Sequence, residues 1–382
     1  MGDFTLSRSK FSKLRQAQDA VREAGLRLAL TISPFVSVDS PNFRQGVMEG
    51  LFVMERNSTS PRGTPALTWF KDVPVAALLD ITNKKTVAWL RSKLRELGTG
   101  DANEAVFVLD TGNTFHTPHY FAFNQSLSNP DLYKEHFIRE AMEEVTVVGV
   151  SGASSKRPKA PAFVWLSPLD STWFSLQSIV PNILHLGVIG YPFVNPGPIG
   201  GTPANASALP SAELYTRWWQ LATFLPQLHF LTPPSAYASQ KFAGHNIGVV
   251  AAKLKRIREE VVTPVLQKLS RESIGRGQPL IRPLWMYSPN DEASQRISDQ
   301  FMLGNDLLVA PVVNQGQTVR DVYLPPPPSG AGVWCTSDGA FYSGGQWLNA
   351  TKVPLDSVLY YRRKDVPEEG TNWEVLGSFC SA

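Results

Sequence analysis

Val87-Ala88-Trp89-Leu90-Arg91-Ser92-Lys93-Leu94-Arg95-Glu96-Leu97-Gly98, and after it Ala105-Val106-Phe107-Val108-Leu109-Asp110-Thr111-Gly112, carry the pattern that sets the fold. Val87, Leu90, Leu94 and Leu97 recur every three or four residues, which lines one face of a helix, and Gly98 supplies the stop. Ala105 to Leu109 is an unbroken apolar run too short for a helix. It reads as a strand buried on both faces, turned at its end by Asp110-Thr111-Gly112. The same order stands upstream: Phe11, Leu14, Ala17 and Val21 mark a helix over Ser9 to Glu23, and Leu26 to Ile32 form a strand closed by Ser33-Pro34.

Helix and apolar strand in alternation predict a parallel sheet covered on both faces. Further strands are expected at Ala162 to Leu166, His185 to Phe193 and Leu280 to Tyr287, with helices at Glu213 to Leu225 and Asn246 to Leu269. About five or six such units fall short of the eight that close a barrel. After Tyr287 the chain changes to short apolar runs cut by Gly and Pro: Leu307 to Val313, Val319 to Leu324, prolines at 325–328, then Trp334, Phe341, Trp347 and Leu359-Tyr360-Tyr361. That is the pattern of a small antiparallel β-domain. The expected fold is α/β, a partial (β/α)8 TIM barrel lacking its first strands over 1–303, followed by a C-terminal β-sandwich domain over 304–382.

Composition narrows the function classes. With 382 residues, 43% hydrophobic and 18% charged, the chain has the makeup of a folded protein with more than one core. A net charge of +3 is too small for a surface that tracks phosphates, so nucleic acid is not an expected partner. The densest basic stretch, Lys253 to Arg258, runs into Glu259 and Glu260 and reads as a solvated helix face. The longest apolar stretch, Ser178 to Val194, is broken by Pro181, Asn182, His185 and Pro192, so no membrane span is expected. Cys335 and Cys380 permit one bridge and exclude a Cys-rich metal site. The N-terminus lacks the apolar core of a signal peptide. Sequons at Asn57, Asn124, Asn205 and Asn349 lie in polar or turn-rich segments; such triplets also arise by chance, yet together they point to the secretory pathway, endoplasmic reticulum lumen or secreted, with any signal or anchor upstream of Met1. The sequence sets no oligomeric state and is compatible with a homo-oligomer.

In parallel α/β folds reactive groups sit at the C-terminal ends of strands. Asp110 occupies such a place, and Asp170 follows the apolar Phe163-Val164-Trp165-Leu166. Alone, an acidic residue ending a strand is more often a turn former or helix cap. As a pair, two carboxylates at the ends of neighbouring strands can stand about 5 Å apart, the separation that retaining glycosidases use. Trp69, Phe70, Trp165, Trp173, Trp218 and Trp219 are candidates for the aromatic faces on which sugar rings stack, although each alone is more often core. His116 and His119 are three apart near Asp110 without a clear third ligand, so no metal is expected. The nucleophile elbow, phosphate loop and dinucleotide fingerprint are absent, and no cofactor is expected.

The chain resembles glycoside hydrolase family 31, and within it the myogenesis-regulating, α-galactosidase-like group. Leu30-Thr31-Ile32-Ser33-Pro34-Phe35 is similar to the family's third barrel strand, Ala77 to Asn83 to the segment before its nucleophile strand, and Gly190-Tyr191-Pro192-Phe193 with Ile199-Gly200-Gly201 to its sixth strand and loop. Glu213 to Trp219 resembles the next helix. The most specific likeness is the ordered series Arg282-Pro283-Leu284-Trp285, Asp299-Gln300-Phe301-Met302-Leu303-Gly304 and Leu307 to Val312. The resemblance implies that Asp110 is the nucleophile, that Asp170 in Leu169-Asp170-Ser171-Thr172-Trp173 is the acid/base, and that oligosaccharide or glycan is the substrate; of the aromatic candidates, Trp69, Trp165, Trp173 and Trp219 are the expected sugar-binding residues. It also exposes departures: Val108 where a lysine is expected, Asn113 and Gly197 for acidic residues, and Trp165 and Leu169 for arginines. The sequence thus supports a retaining α-glycosidase of α-galactosidase type. A catalytically impaired carbohydrate-binding or chaperone-like protein, or an α-glucosidase or α-xylosidase, is the alternative.

Overall fold

Alternating helix and buried strand is what the computed structural model shows across the first part of the chain. It describes residues 3–7, 9–57, 59–60, 63–71, 73–99, 105–111, 116–118, 120–152, 162–205, 208–237, 241–242, 245–328 and 332–365. The chain divides into two units, Met1–Trp165 and Leu166–Ala382.

In the first unit the order is α1 (Leu14–Glu23), β1 (Ala29–Ile32), β2 (Phe35–Ser37), α2 (Pro41–Glu49), β3 (Met54–Glu55), β4 (Leu67–Phe70), β5 (Val73–Leu78), α3 (Lys84–Thr99), β6 (Val106–Leu109), β7 (Phe121–Ala122), α4 (Leu132–Glu144), β8 (Val147–Ser151) and β9 (Phe163–Trp165). Strands β1, β6, β8 and β9 lie side by side and all run parallel. Every residue of β6 is buried, as its continuous apolar sequence requires. Leu90 and Leu94 of α3 and Phe137, Ile138 and Ala141 of α4 are buried as well. Arg91 ties the two helices together, its Nε donating to Glu140 at 3.0 Å. Burial pushes the Glu140 carboxyl up, but the bonds from Arg91 and Arg139 outweigh it and leave it below its ordinary value.

The first helix starts later than the sequence suggests and buries none of its residues. Phe11 and Leu26 are exposed, and a groove of about 440 Å³ lined by Phe4, Leu6, Phe11, Leu14, Leu30 and Ile32 follows the side of β1. Among the described strands β1 pairs only with β6. The sequence pattern did not foretell an antiparallel three-stranded sheet in which β5 pairs with β2 on one side and β4 on the other. Its β4–β5 turn is where Lys71 sits.

The second unit holds α5 (Trp173–Val188), β10 (Val194–Asn195), α6 (Ala212–Ala222), β11 (Lys241–Phe242), β12 (His245–Asn246), α7 (Ile247–Ile257), α8 (Thr263–Arg276), β13 (Ile281–Arg282), the short helices α9 (Leu284–Tyr287) and α10 (Glu292–Arg296), then β14 (Phe301–Leu303), β15 (Leu307–Ala310), β16 (Val319–Leu324), β17 (Val333–Cys335), β18 (Phe341–Ser343), β19 (Gln346–Lys352) and β20 (Leu359–Lys364). The expected strand at His185 to Phe193 is corrected: His185 to Val188 belong to α5. Leu176, Ile179, Val180, Ile183, Leu184 and Leu186 are buried at helical spacing, and Thr172 caps the start by accepting from the Ser175 N–H. Pro181 is exposed within that helix.

The expected strand at Leu280 to Tyr287 is also shorter. Pro283 follows Ile281–Arg282 without an N–H to donate, and Leu284–Tyr287 turn into a helix. Strands β13, β14, β15, β20, β17 and β18 make one antiparallel sheet in that order, which takes in Ile281–Arg282 and Phe301–Leu303 ahead of the division expected at 304. Leu284, Tyr287, Met302, Leu308, Trp334 and Tyr361 fill the core beside it. Cys335 is buried on β17, whereas Cys380 lies outside the described residues. No helix among the described residues is long and apolar enough to cross a membrane.

Two arginines brace this unit, Arg217 buried and Arg258 half-buried. Arg258 donates to the Thr223 carbonyl at 2.9 Å and the Pro226 carbonyl at 3.1 Å, just beyond the C-terminus of α6, where carbonyls lack helical partners. Arg217, 2% exposed, donates to the carbonyls of Val353 at 2.8 Å and Gln317 at 3.1 Å, linking α6 to the strands. Burial pushes its guanidinium down to about 10 against the pull of Glu213 and Asp356, so it remains charged at neutral pH. Arg217→Met fills the space but strands those carbonyls. It should cost about 3 kcal/mol in denaturant unfolding, and a loss below about 0.5 kcal/mol rejects the bracing role.

Candidate active site

The first unit delivers three side chains from the C-terminal ends of consecutive parallel strands: Asp110 after β6, Ser151 ending β8 and Trp165 ending β9. The Asp110 N–H donates to the Ile32 carbonyl at 2.8 Å, carrying the β1–β6 pairing one residue further and fixing the aim of its side chain. Asp110 is 5% exposed. A carboxylate so far from water needs donors, and among the described residues it has two. Ser151 Oγ donates to Oδ1 at 2.9 Å, and Lys71 Nζ pairs with Oδ2. Ser151 is itself fixed, since its Oγ accepts from the Thr111 N–H at 3.0 Å.

Lys71 reaches Asp110 from the β4–β5 turn with a φ of 49°, the left-handed region that favours glycine or asparagine. For a lysine this backbone costs about 1 kcal/mol. The ammonium stands 5.6 Å from the Phe70 ring centre, and Phe70 is stacked on Phe35 with centres 4.4 Å apart. Trp69 is half exposed and meets His116 edge-on at 4.8 Å. His116 is buried against Trp69, Phe70 and Phe35, while His119, Gly112 and Asn113 lie outside the described residues. Among the described residues no group of three or more His, Cys, Asp or Glu gathers to hold a metal. Trp165 is half-buried and covers Gly149: a Cβ on that glycine would lie 2.6 Å from the indole Nε1.

In the second unit Asp170 is exposed, but its backbone is pinned to a glycine turn. Asp170 and Thr202 form a parallel bridge, with Thr202 N–H donating to the Leu169 carbonyl at 2.8 Å and Ser171 N–H to the Thr202 carbonyl at 3.1 Å. Gly201 makes this approach possible. It has a φ of 74°, and a Cβ there would meet the Asp170 carbonyl oxygen at 2.6 Å. Gly197, at a φ of 97°, likewise occupies backbone where the acidic side chain implied by the resemblance would be strained. Trp173 is half-buried at the start of α5.

Trp219 corrects the expectation of a sugar platform. It is 7% exposed and packed edge-on against Tyr215 at 5.9 Å and Phe230 at 5.3 Å, which makes it a core residue. Asp110, Trp69 and Trp165 belong to the first unit, Asp170, Trp173 and Trp219 to the second. Sequence reasoning missed Lys71 and Ser151. The available signal was the apolar run Val147 to Val150, a strand whose end presents Ser151; nothing local marks Lys71 as a partner of Asp110.

Gly201→Ala therefore meets both strain and a clash with the Asp170 backbone, whereas Gly316→Ala, at a φ of 69° with open space around it, meets strain alone. Thermal unfolding should show the first costing roughly 3 kcal/mol and the second roughly 1 kcal/mol. Equal losses would mean that the close approach of the two backbones contributes nothing.

Residues 1–233 match the model of the Glycosyl hydrolases family 31 TIM-barrel domain, and residues 277–366 that of the Glycosyl hydrolase family 31 C-terminal domain. The myogenesis-regulating glycosidase of Mus musculus is 33% identical over 373 residues, covering 94% of this chain and 49% of its own. The SITS-binding protein of Tetronarce californica is 30% identical over 371 residues, with 94% and 49% covered. This chain spans about half the length of the curated relatives it matches. A solved family 31 α-xylosidase from a soil metagenome, complexed with xylose, aligns with a TM-score of 0.76 at 22% identity, over 98% of this chain and 57% of that one. The fold is therefore the one expected from sequence, a partial TIM barrel with a C-terminal β-domain.

Proposed function

The chain belongs to glycoside hydrolase family 31, and from that premise we propose that the whole protein is a retaining α-glycosidase of α-galactosidase type, with Asp110 as nucleophile and Asp170 as acid/base. The observation that carries this reading is the Asp110 carboxylate: buried at a strand end, with one oxygen held by Ser151 and the other by Lys71. A group held in this way is oriented for attack on a fixed carbon. In the first step an Asp110 oxygen bonds to the anomeric carbon, the glycosidic bond breaks, and Asp170 gives its proton to the departing oxygen. In the second, Asp170 takes a proton from water as the water oxygen displaces Asp110, so the anomeric configuration is retained. Trp69 and Trp165, half exposed and half-buried in the same unit as Asp110, supply faces for a sugar ring.

A second reading, a catalytically silent carbohydrate-binding or chaperone-like protein, is favoured by the apolar Leu169 and by the bare Gly197. α-Glucosidase and α-xylosidase activities are the alternative specificities. The complete protein assayed with aryl α-galactoside, α-glucoside and α-xyloside should turn over the first fastest, and Asp110→Asn and Asp170→Asn should each abolish turnover. Full activity in either variant rejects the assignment of that residue. Galactoside binding by calorimetry with no hydrolysis over days selects the second reading.

We also place the protein in the secretory pathway, because Asn57, Asn124, Asn205 and Asn349 are all exposed, as acceptors of N-linked glycans must be. Protein made in animal cells should lose mass on treatment with peptide N-glycosidase. An unchanged mass argues against this placement.

A further inference from the structure

Lys71 stands in a position that the β4–β5 turn alone does not explain. Its φ of 49° suits glycine or asparagine, and its side chain is 44% exposed, so neither backbone preference nor burial of its stem favours lysine there. What the lysine does have is a partner. Its ammonium meets Oδ2 of Asp110, whose side chain is 7% exposed, and among the described residues it is the cation in contact with that carboxylate. Phe70, clamped by Phe35, lies beneath the ammonium and limits where it can go. Strained backbone that serves a buried charge is a feature of functional sites.

We propose that Lys71 is a positioning residue for Asp110 that acts chiefly on the second chemical step, the release of the sugar from the enzyme. This rests on the retaining-glycosidase reading above. The two steps ask opposite things of a cation beside the nucleophile. While Asp110 attacks, a paired ammonium draws electron density from the carboxylate and gives little help. When water attacks the glycosyl-enzyme, the bond from the anomeric carbon to the Asp110 oxygen breaks and its electron pair returns to the carboxylate, while the proton of water goes to Asp170. The ammonium then stabilises, at close range, the charge that reappears on the buried carboxylate. Ser151, neutral and bonded to the other oxygen, holds the geometry through both steps.

The test uses the complete protein and an activated aryl α-glycoside, whose good leaving group makes the second step limiting. Lys71→Met should lower kcat by on the order of tenfold or more and lower KM in parallel, leaving kcat/KM within a few-fold, because the glycosyl-enzyme accumulates. Intact mass should then show one added hexosyl residue on the variant at steady state. Lys71→Arg should recover most of the rate, and added ethylammonium should partly restore Lys71→Ala. Lys71→Gly relieves the backbone strain that Lys71→Met keeps, so it should unfold later than Lys71→Met while showing the same fall in kcat, which keeps the test open should Lys71→Met fold poorly.

If the parent turns over and the Lys71 variants match it within twofold, or lose kcat/KM without accumulating the covalent species, the assignment of Lys71 is overturned while the glycosidase reading stands. If the parent turns over no α-glycoside, that reading fails and the role of Lys71 falls with it.

Discussion

A charged carboxylate removed from water must be compensated on the spot, and the compensation for Asp110 explains much of what surrounds it. Its burial follows from β6, which is apolar and buried at every position and lies between β1 and β8. The strand cannot furnish donors from its own side chains, so they come from elsewhere: a hydroxyl from the end of β8 and an ammonium from the β4–β5 hairpin. The hairpin is therefore tied to the sheet by chemistry as well as by packing. The left-handed backbone at Lys71 is a local cost offset by that one contact.

Asp170 is built on the opposite principle. Its side chain is exposed, and its position is set through the backbone by the Leu169–Thr202 and Ser171–Thr202 bonds and by the lack of a side chain on Gly201. One acid is held by its carboxylate and the other by its main chain. That difference suits the proposed division of labour, since a nucleophile must keep one aim whereas an acid/base must exchange protons with a leaving group and then with water. Two arginines, Arg217 and Arg258, stiffen the second unit by closing carbonyls that its helices and loops leave open.

What the sequence displayed was whatever depends on neighbours along the chain. The α3–β6 alternation, the buried strand ending in Asp110 and the change of texture after Tyr287 all follow from periodicity and turn residues, and all are present. What it hid depends on partners far away in sequence. The same apolar residues at His185 to Val188 fit a strand or a helix, and the cap at Thr172 with the buried faces of α5 decides for the helix. Phe11, Leu14 and Val21 fit an amphipathic helix, yet α1 begins only at Leu14 and leaves Leu14 and Val21 half-buried. Trp219 has the composition of a sugar platform, and only its contacts with Tyr215 and Phe230 assign it to the core. Lys71 and Asp110 are 39 residues apart, and no local pattern relates them.

Val108 has a physical meaning as well. The resemblance to the family implies a lysine at that position, two residues before the nucleophile, where residues of a strand share a face. Here Val108 is 5% exposed and lies between Thr31 of β1 and Gly149 of β8, so a cation in its place would carry its stem through the most tightly covered strand of the sheet. Lys71 brings an ammonium to the neighbouring carboxylate from a hairpin turn instead, where its stem is half exposed and strains only its own backbone. Electrostatics constrains where the charge must be and not which residue carries it. A valine on β6 is therefore no evidence that the site has lost its cation, and the departures at Leu169 and Gly197 weigh more heavily on the question of catalysis than the one at Val108.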